Sequence, residues 1–501
     1  MNNFIMRKII YLNFTILIGS FGLLHANAQS NTLKLSLEEV IRIASEQSPD
    51  ALMARHRFLS SYWEYRSYLA QFKPKLSLSA TIPSLTKSLN SYTLPDGTET
   101  FVHQQYTSYT GNLSLSQVIG FSGGNIYIQS GLQRLNNNLD SAGLSSWLSH
   151  PITIGLRQPI YNFNAYKWQK RIDPIRYLEA SRRYIEDIEQ ISITATTLFF
   201  NLIIAEGQLQ ISQMNEANYD TLYRIAQGRF NMGTIAENEL LQLELNLLKS
   251  KADAENARLD VENSEFMLKS YLRLKSQQNL QLIPPASPYQ GNVPVSDAIE
   301  FALENRATAL EFERRILEAR RDLDQAKHEG RFQANLSIDY GLSKNGANLS
   351  EVYQNLDDMQ QLSFGVYVPI LDWGQAKGRI KMAQSNHELV KTAIEQERID
   401  FEQEVYLAVM QYNMQNSQLE IAAKSDTIAD KSYQVAKARY LIGKISITDL
   451  NIAQSEKDLA RMNFLRALQR YWNSYYTVRK LTHFDFTKNL PIQVDMNKII
   501  E

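Results

Sequence analysis

Two pentapeptides decide the reading of this chain: Arg229-Phe230-Asn231-Met232-Gly233 and, 210 positions on (439 − 229), Arg439-Tyr440-Leu441-Ile442-Gly443. A lone glycine here would mark only a helix end, in the left-handed conformation that lacks a Cβ penalty. Two at matched positions, each followed by a heptad pattern, mean two helical hairpins with tips at one end. After the first tip, Leu240, Leu243, Leu247, Ser250, Ala254, Ala257, Val261, Ser264 and Leu268 step by three and four. After the second, Leu450, Ala453, Lys457, Ala460, Phe464, Ala467, Tyr471, Ser474 and Val478 do the same. Before the first tip the stripe is Ile188, Ile191, Ala195, Leu198, Leu202, Ala205 and Leu209. A sustained 3.5-residue period imposes a left-handed supercoil, and the Ala and Ser positions allow close helix approach. The stretches Ile175–Gln227 and Gln375–Tyr440 hold 53 and 66 residues. At ~1.5 Å per residue they reach about 80 and 100 Å, for which a compact bundle has no use. Pro174 is expected in the first turn of the first rod, with Asp173 as its N-cap.

Working outward from the tips, the 210-residue offset holds through Ala226/Ala436, Phe230/Tyr440 and Leu240/Leu450, and back to Pro159-Ile160/Pro369-Ile370. Further upstream the offset is 258: Leu37-Glu38-Glu39-Val40-Ile41 aligns with Val295-Ser296-Asp297-Ala298-Ile299, and Leu78-Ser79 with Leu336-Ser337. The chain thus reads as two copies of one unit. The difference of 48 (258 − 210) is an insertion in the first copy between about Ala80 and Ile152. The expected domains are a first repeat at 29–283, with its insertion at 81–151 and a helical hairpin at 162–276. A linker follows at 284–292, beginning Pro284-Pro285. The second repeat spans 293–482 with a hairpin at 373–480, and a tail covers 483–501.

Between the opening helices and the rods, the period switches to two. Leu76, Leu78, Ala80 and Ile82 alternate with polar residues, as do Ile152, Ile154 and Leu156; Leu336, Ile338, Tyr340 and Leu342; and Leu362, Phe364, Val366, Val368 and Ile370. Runs of about nine residues suit tilted strands crossing a bilayer, although a half-buried soluble sheet alternates in the same way. Four strands cannot close a barrel or hide their edges within one chain, so closure is expected across several identical chains. The insertion is rich in Tyr, Ser, Asn and Gly. It reads as outer loops, with room for a hairpin around Leu113–Leu132, and whether that hairpin joins a barrel is open at this point.

Arg7-Lys8, an apolar run over Ile9–Leu24 and Ala26-Asn27-Ala28 have the order of a secretory signal peptide, residues 1–28. No later stretch reads as long and apolar enough for a transmembrane helix, so membrane insertion is expected through strands. Lys+Arg 52 against Asp+Glu 53, a net charge of −1, excludes a strongly basic nucleic-acid binder. With Cys 0, disulfides, thiolate metal sites and an N-terminal lipidated cysteine are excluded, so the chain is no lipoprotein. The seven histidines are dispersed and make no H-x-x-x-H spacing. No nucleophile elbow or phosphate loop is present, so no enzyme, cofactor or metal is expected.

Taken together, the duplicated order, the Leu35-Ser-Leu-Glu-Glu-Val-Ile41 opening, the junctions Pro159-Ile-Tyr-Asn-Phe163 and Pro369-Ile-Leu-Asp-Trp-Gly374, and Gly443 followed by Thr448-Asp449-Leu450 resemble the TolC-like outer-membrane efflux ducts. The resemblance covers nearly the whole mature chain. It implies a mainly α fold with membrane β structure. Duplicated coiled-coil helices would form a trimeric α-barrel, and about four strands per chain a trimeric outer-membrane β-barrel. It further implies a periplasmic extension and a passive exit duct serving efflux or type I secretion. The implied partners are copies of itself, a periplasmic adaptor, an inner-membrane RND or ABC-type pump and outer-membrane lipid. Adaptor docking falls on the tips, Met232, Gly233, Thr234, Ile442, Gly443 and Lys444. The pore gate falls on Asp449 and Glu239, six positions past each tip glycine, and on Tyr440. Relatives carry charged residues where this chain has Ile445 and Ile452.

The junctions Pro159, Pro369, Asp372 and Trp373 have a physical sense of their own: proline ends ladder pairing and the acid caps the new helix. Phe163, Trp168 and Trp373 suit a membrane–water boundary. A helix-start acid stabilised by the dipole would equally explain Asp449. The rival to a duct is a non-conducting coiled-coil tether spanning the envelope, for which strands and tip hairpins have no purpose.

Overall fold

The computed structural model describes residues 33–137, 145–275, 279–285 and 291–500; the expected signal peptide and part of the expected linker lie outside them. The order is β1 (Leu33–Ser36), α1 (Leu37–Gln47), α2 (Pro49–Ala70), β2 (Lys75–Thr93), β3 (Glu99–Ile119), β4 (Gly124–Asn137), β5 (Ser145–Ile160), α3 (Ala165–Asn231), α4 (Glu237–Tyr271) and β6 (Leu280–Ile283). Then come α5 (Val295–Asn305), α6 (Ala307–Glu329), β7 (Gln333–Gly346), β8 (Asp357–Tyr367), α7 (Gln375–Leu441), α8 (Ile447–Thr482), the short strands β9 (Phe484–Asp485) and β10 (Leu490–Pro491), and α9 (Asn497–Ile500). A 3-10 turn at Glu351–Tyr353 joins β7 to β8.

The chain divides into two compact units. One comprises residues up to Ala51, Ile191–Gln290 and Gln415–Asn473. Its core is the apolar stripe read above: Leu243, Leu247, Ser250, Ala254, Ala257 and Leu268 are the buried residues of α4. Leu450, Ala453, Ala467 and Tyr471 are buried on α8. In this unit β1 pairs in parallel with β6, Leu33 opposite Leu280 through Ser36 opposite Ile283. Ser36 and Glu39 then form a reciprocal capping box at the start of α1, the physical content of the Leu35-Ser-Leu-Glu-Glu opening.

The second unit holds Leu52–Gln190, Gly291–Met414 and Ser474–Glu501. It contains a six-stranded antiparallel sheet in the order β2-β3-β4-β5-β7-β8. The expectation of about four strands is corrected here: the insertion supplies β3 and β4, which enter the sheet between β2 and β5 rather than forming outer loops. Their Tyr, Thr and Ser content is compatible with strands having one polar face. The same unit holds a buried ion network. Arg479 contacts both Glu189 oxygens at 3.1 and 2.9 Å and Asp485 at 3.0 Å. Burial raises the Glu189 pKa while Arg479 opposes the shift.

Three further expectations change. The first rod begins ten residues early, so Pro174 lies inside α3. Asn164 accepts from the Lys167 N–H at 3.3 Å as its cap, and Asp173 instead pairs with Arg176 at 3.6 Å. Pro159 does not end β5: it stands opposite Asn335, because only pairing to β4 has stopped, at Arg157. Finally, α3 does contain a window with mean hydropathy 1.4, long and apolar enough to cross a membrane by composition. There Ala195, Phe199, Phe200 and Leu202 are buried in the core, which accounts for their hydropathy.

Candidate functional site

Both tip glycines adopt the left-handed conformation, with φ of 69° at Gly233 and 74° at Gly443. The hydrogen bonds are those of a Schellman end. Gly233 N–H donates to the Phe230 carbonyl at 2.8 Å, and Thr234 N–H to Arg229 at 2.9 Å. Gly443 N–H donates to Tyr440 and Lys444 N–H to Arg439, both at 2.9 Å. A Cβ on either glycine would meet open space, so the requirement for glycine is backbone conformation alone. Met232 and Ile442 are exposed apolar side chains at the tips.

Asp449 is the third residue of α8, and Ser446 is its N-cap. Asp449 accepts from the Ser446 N–H at 3.1 Å and hydroxyl at 2.8 Å, and returns its own N–H to Ser446 Oγ at 3.2 Å. This capping box holds the Asp449 carboxyl below its usual pKa, the side-chain hydrogen bond first and the backbone bond second. The carboxylate stays solvent-exposed. Glu239 occupies the same turn of α4, whose N-cap Ala236 offers no side-chain acceptor. Tyr440 is placed differently: it is 5% exposed and packs with Leu222, Ala226, Leu243, Tyr433, Ile447 and Leu450. Burial pushes its phenol up, against the Arg229 charge. Within one chain it is therefore a packing hub between the hairpins.

A set of polar contacts joining the two hairpins was missed. Arg229 donates to the Leu441 carbonyl at 2.7 Å, Lys437 to Asn218 at 2.9 Å, Tyr219 to Asn451 at 3.1 Å and Asn215 to Asp458 at 2.7 Å. The Lys457 ammonium lies 4.5 Å from the Tyr433 ring centre. The signal was available: Asn215, Asn218, Tyr219, Leu222, Ala226 and Arg229 continue the three-four stepping, with polar groups where apolar ones are the rule. One face of α7, continued by Ile442 just past its end, carries a second stripe. Leu407, Met414, Ile421, Ile428, Val435 and Ile442 recur every seven residues and are 50–66% exposed.

At the junctions, Asp372 accepts from Gly374 N–H at 3.0 Å and Ala376 N–H at 2.8 Å, capping α7 as expected of it, and its carboxyl pKa is lowered by those backbone bonds. Pro369 follows the end of β8, and Trp373 has a φ of 51° and is 89% exposed. Trp168 corrects the boundary assignment: it is buried and donates its ring N–H to Asp324 at 3.0 Å. Phe163 lies half-buried against His328.

The sheet has two chemically distinct faces. Leu76, Leu115, Ile128, Ile154 and Tyr340 stand directly opposite one another in five adjacent strands, and all are at least 40% exposed. The neighbouring row on the other face is Lys75, Ser116, Tyr127, Gly155, Asp339 and Gln361. Among the described residues, β2 and β8 each have one unpaired edge.

Comparison with known proteins agrees with this architecture. A family model described as outer membrane efflux protein matches residues 125–272 and 298–482. Toxin and drug export protein A of Aggregatibacter actinomycetemcomitans is 20% identical over 401 residues, covering 74% of this chain and 82% of that protein. The CmeC outer membrane channel of Campylobacter jejuni has the same fold at a TM-score of 0.65 and 18% identity, over 93% of this chain and 88% of that one. The outer membrane protein VceC of Vibrio cholerae superposes at a TM-score of 0.64 and 13% identity, over 89% and 95%.

Proposed function

The chain belongs to the outer membrane efflux protein family, and from that footing we propose that three copies close into one passive duct that receives cargo from a periplasmic adaptor and an inner-membrane RND or ABC-type pump. It is an outer-membrane efflux protein whose α-barrel and β-barrel parts form a conduit. The single observation that carries the self-assembly is the pair of unfinished surfaces in each chain. Among the described residues the sheet leaves one edge of β2 and one of β8 unpaired, and an unpaired edge in a membrane leaves N–H and C=O groups without partners at several kcal/mol each. The exposed heptad stripe of α7 is a second such surface, of the kind a neighbouring helix covers. A signal peptide at 1–28 accounts for export of the chain.

The tip residues Met232, Gly233, Thr234, Ile442, Gly443 and Lys444 are the proposed adaptor surface. Three copies of Asp449 would set a ring of exposed carboxylates, with Glu239 behind it and Tyr440 fixing the spacing of the hairpins; such rings attract cations and repel anions. No chemical step belongs to this reading. Purified protein added to a planar bilayer is expected to give discrete current steps. A tether would give none, and their absence would reject the duct.

A further inference from the structure

We infer that the inserted hairpin β3–β4 is a load-sharing part of the membrane wall, so that each chain contributes six strands and three chains close a barrel of eighteen. The inference rests on the duct proposed above and concerns its bore. Three observations carry it. First, the apolar row is continuous through the insertion: Leu115 on β3 and Ile128 on β4 fill the two places between Leu76 on β2 and Ile154 on β5, each directly opposite the next. A flap lying outside a bilayer has no use for side chains that match the lipid-facing row of the strands beside it. Second, the opposite row stays polar through Ser116 and Tyr127, as a water-filled lumen requires.

Third, the hairpin is stitched into the sheet by a dedicated contact. The Tyr127 hydroxyl on β4 donates to the Asp339 carboxylate on β7, reaching over Gly155 of the intervening β5. A Cβ at position 155 would run into the Tyr127 ring, so glycine there is what admits it. The Arg157 guanidinium also lies 5.3 Å from the ring centre. A residue of the insertion is thus accommodated by residues of β5 and β7, both outside the inserted hairpin.

Barrel diameter grows roughly linearly with strand number. With a strand spacing of about 4.8 Å and a tilt of about 40°, eighteen strands give a backbone diameter of about 36 Å, and twelve give about 24 Å. The wider ring falls in the class that leaves an open aqueous channel.

The chain has Cys 0, so single cysteines carry a label without background. Full-length variants Leu115→Cys, Ser116→Cys, Ile128→Cys and Gln129→Cys would be labelled with a fluorophore in lipid vesicles, beside Leu362→Cys and Ser363→Cys on β8 as references. Quenching by lipid-borne nitroxide at 115, 128 and 362, and by aqueous iodide at 116, 129 and 363, is the expected result. Iodide quenching at all four insertion sites, with 362 and 363 still alternating, overturns this inference and leaves the duct standing. Loss of alternation at 362 and 363 overturns the duct itself. End-on electron-microscopy averages of the intact protein in nanodiscs give the second readout: a ring near 36 Å is expected, and one near 24 Å overturns the eighteen-strand count.

Discussion

Asp449 shows how one residue can hold a local and a collective role at once. Its bonds to Ser446 start α8, and its charge is the one the gate proposal places in a ring. The two roles separate by substitution. Ser446→Ala removes the cap at a cost of about 1 kcal/mol and keeps the charge. Asp449→Asn removes the charge, and only this variant is expected to lower cation selectivity in reversal-potential measurements. His483 provides a pH test in the other unit. It is buried, and burial first, then the Arg182 and Arg306 charges, bring its pKa down to about 4 from 6.5. The unfolded chain therefore binds a proton below about pH 6.5 that the folded chain refuses until about pH 4, so this group's contribution falls as pH drops through that window, by about 3 kcal/mol in full. Glu186, 3.7 Å away, has a raised pKa from burial and acts with the opposite sign. In His483→Gln the fall in Tm between pH 7 and pH 4.5 is expected to be shallower than in the parent; an equal fall would rule out the histidine as its source. The tip glycines were legible because handedness is a property of one residue. The cap is legible as well, since Ser446-x-x-Asp449 has capping-box spacing.

At the level of elements, the heptad pattern carried further than any motif. It placed two rods whose observed helices are 67 residues each, and the buried faces of α4 and α8 are the stripes read from spacing. It does not say which faces meet, so the contacts of Asn215, Asn218 and Tyr219 with the second hairpin became visible only in three dimensions. Nor does it separate a face buried within the chain from one left exposed by it, and the α7 stripe is exposed. Charging it tests the subunit contact proposed for it: Ile421→Lys with Ile428→Lys is expected to leave helix content by circular dichroism unchanged and to shift the purified protein from trimer to monomer by light scattering. An intact trimer would remove that face from the subunit contact. The insertion reads as outer loops with room for a hairpin around Leu113–Leu132, and its place in the sheet is not legible for a compositional reason. Tyr, Ser, Thr and Asn are loop residues in one setting and lumen-facing strand residues in another, and only pairing to β2 and β5 decides between them.

For the molecule as a whole, fold class and function were legible because duplication repeats every signal twice, and a coincidence of spacing seldom recurs at one fixed offset. Strand number was not, since it depends on what the insertion pairs with. The tips bear on the whole assembly: Gly233→Val with Gly443→Val forces β-branched residues into the left-handed region, roughly 1–2 kcal/mol each, with no clash to deform the hairpins. Export measured in cells is expected to stop while the trimer survives; normal export would dissociate the tips from adaptor docking. The parallel pairing of β1 with β6 has a consequence in time. Among the described residues Leu33–Ser36 pairs as a strand with Leu280–Ile283 alone, so a chain emerging amino end first carries that segment without this partner until more than half its length has appeared. Its pairing closes a long loop, whose entropic cost makes it a late event in folding.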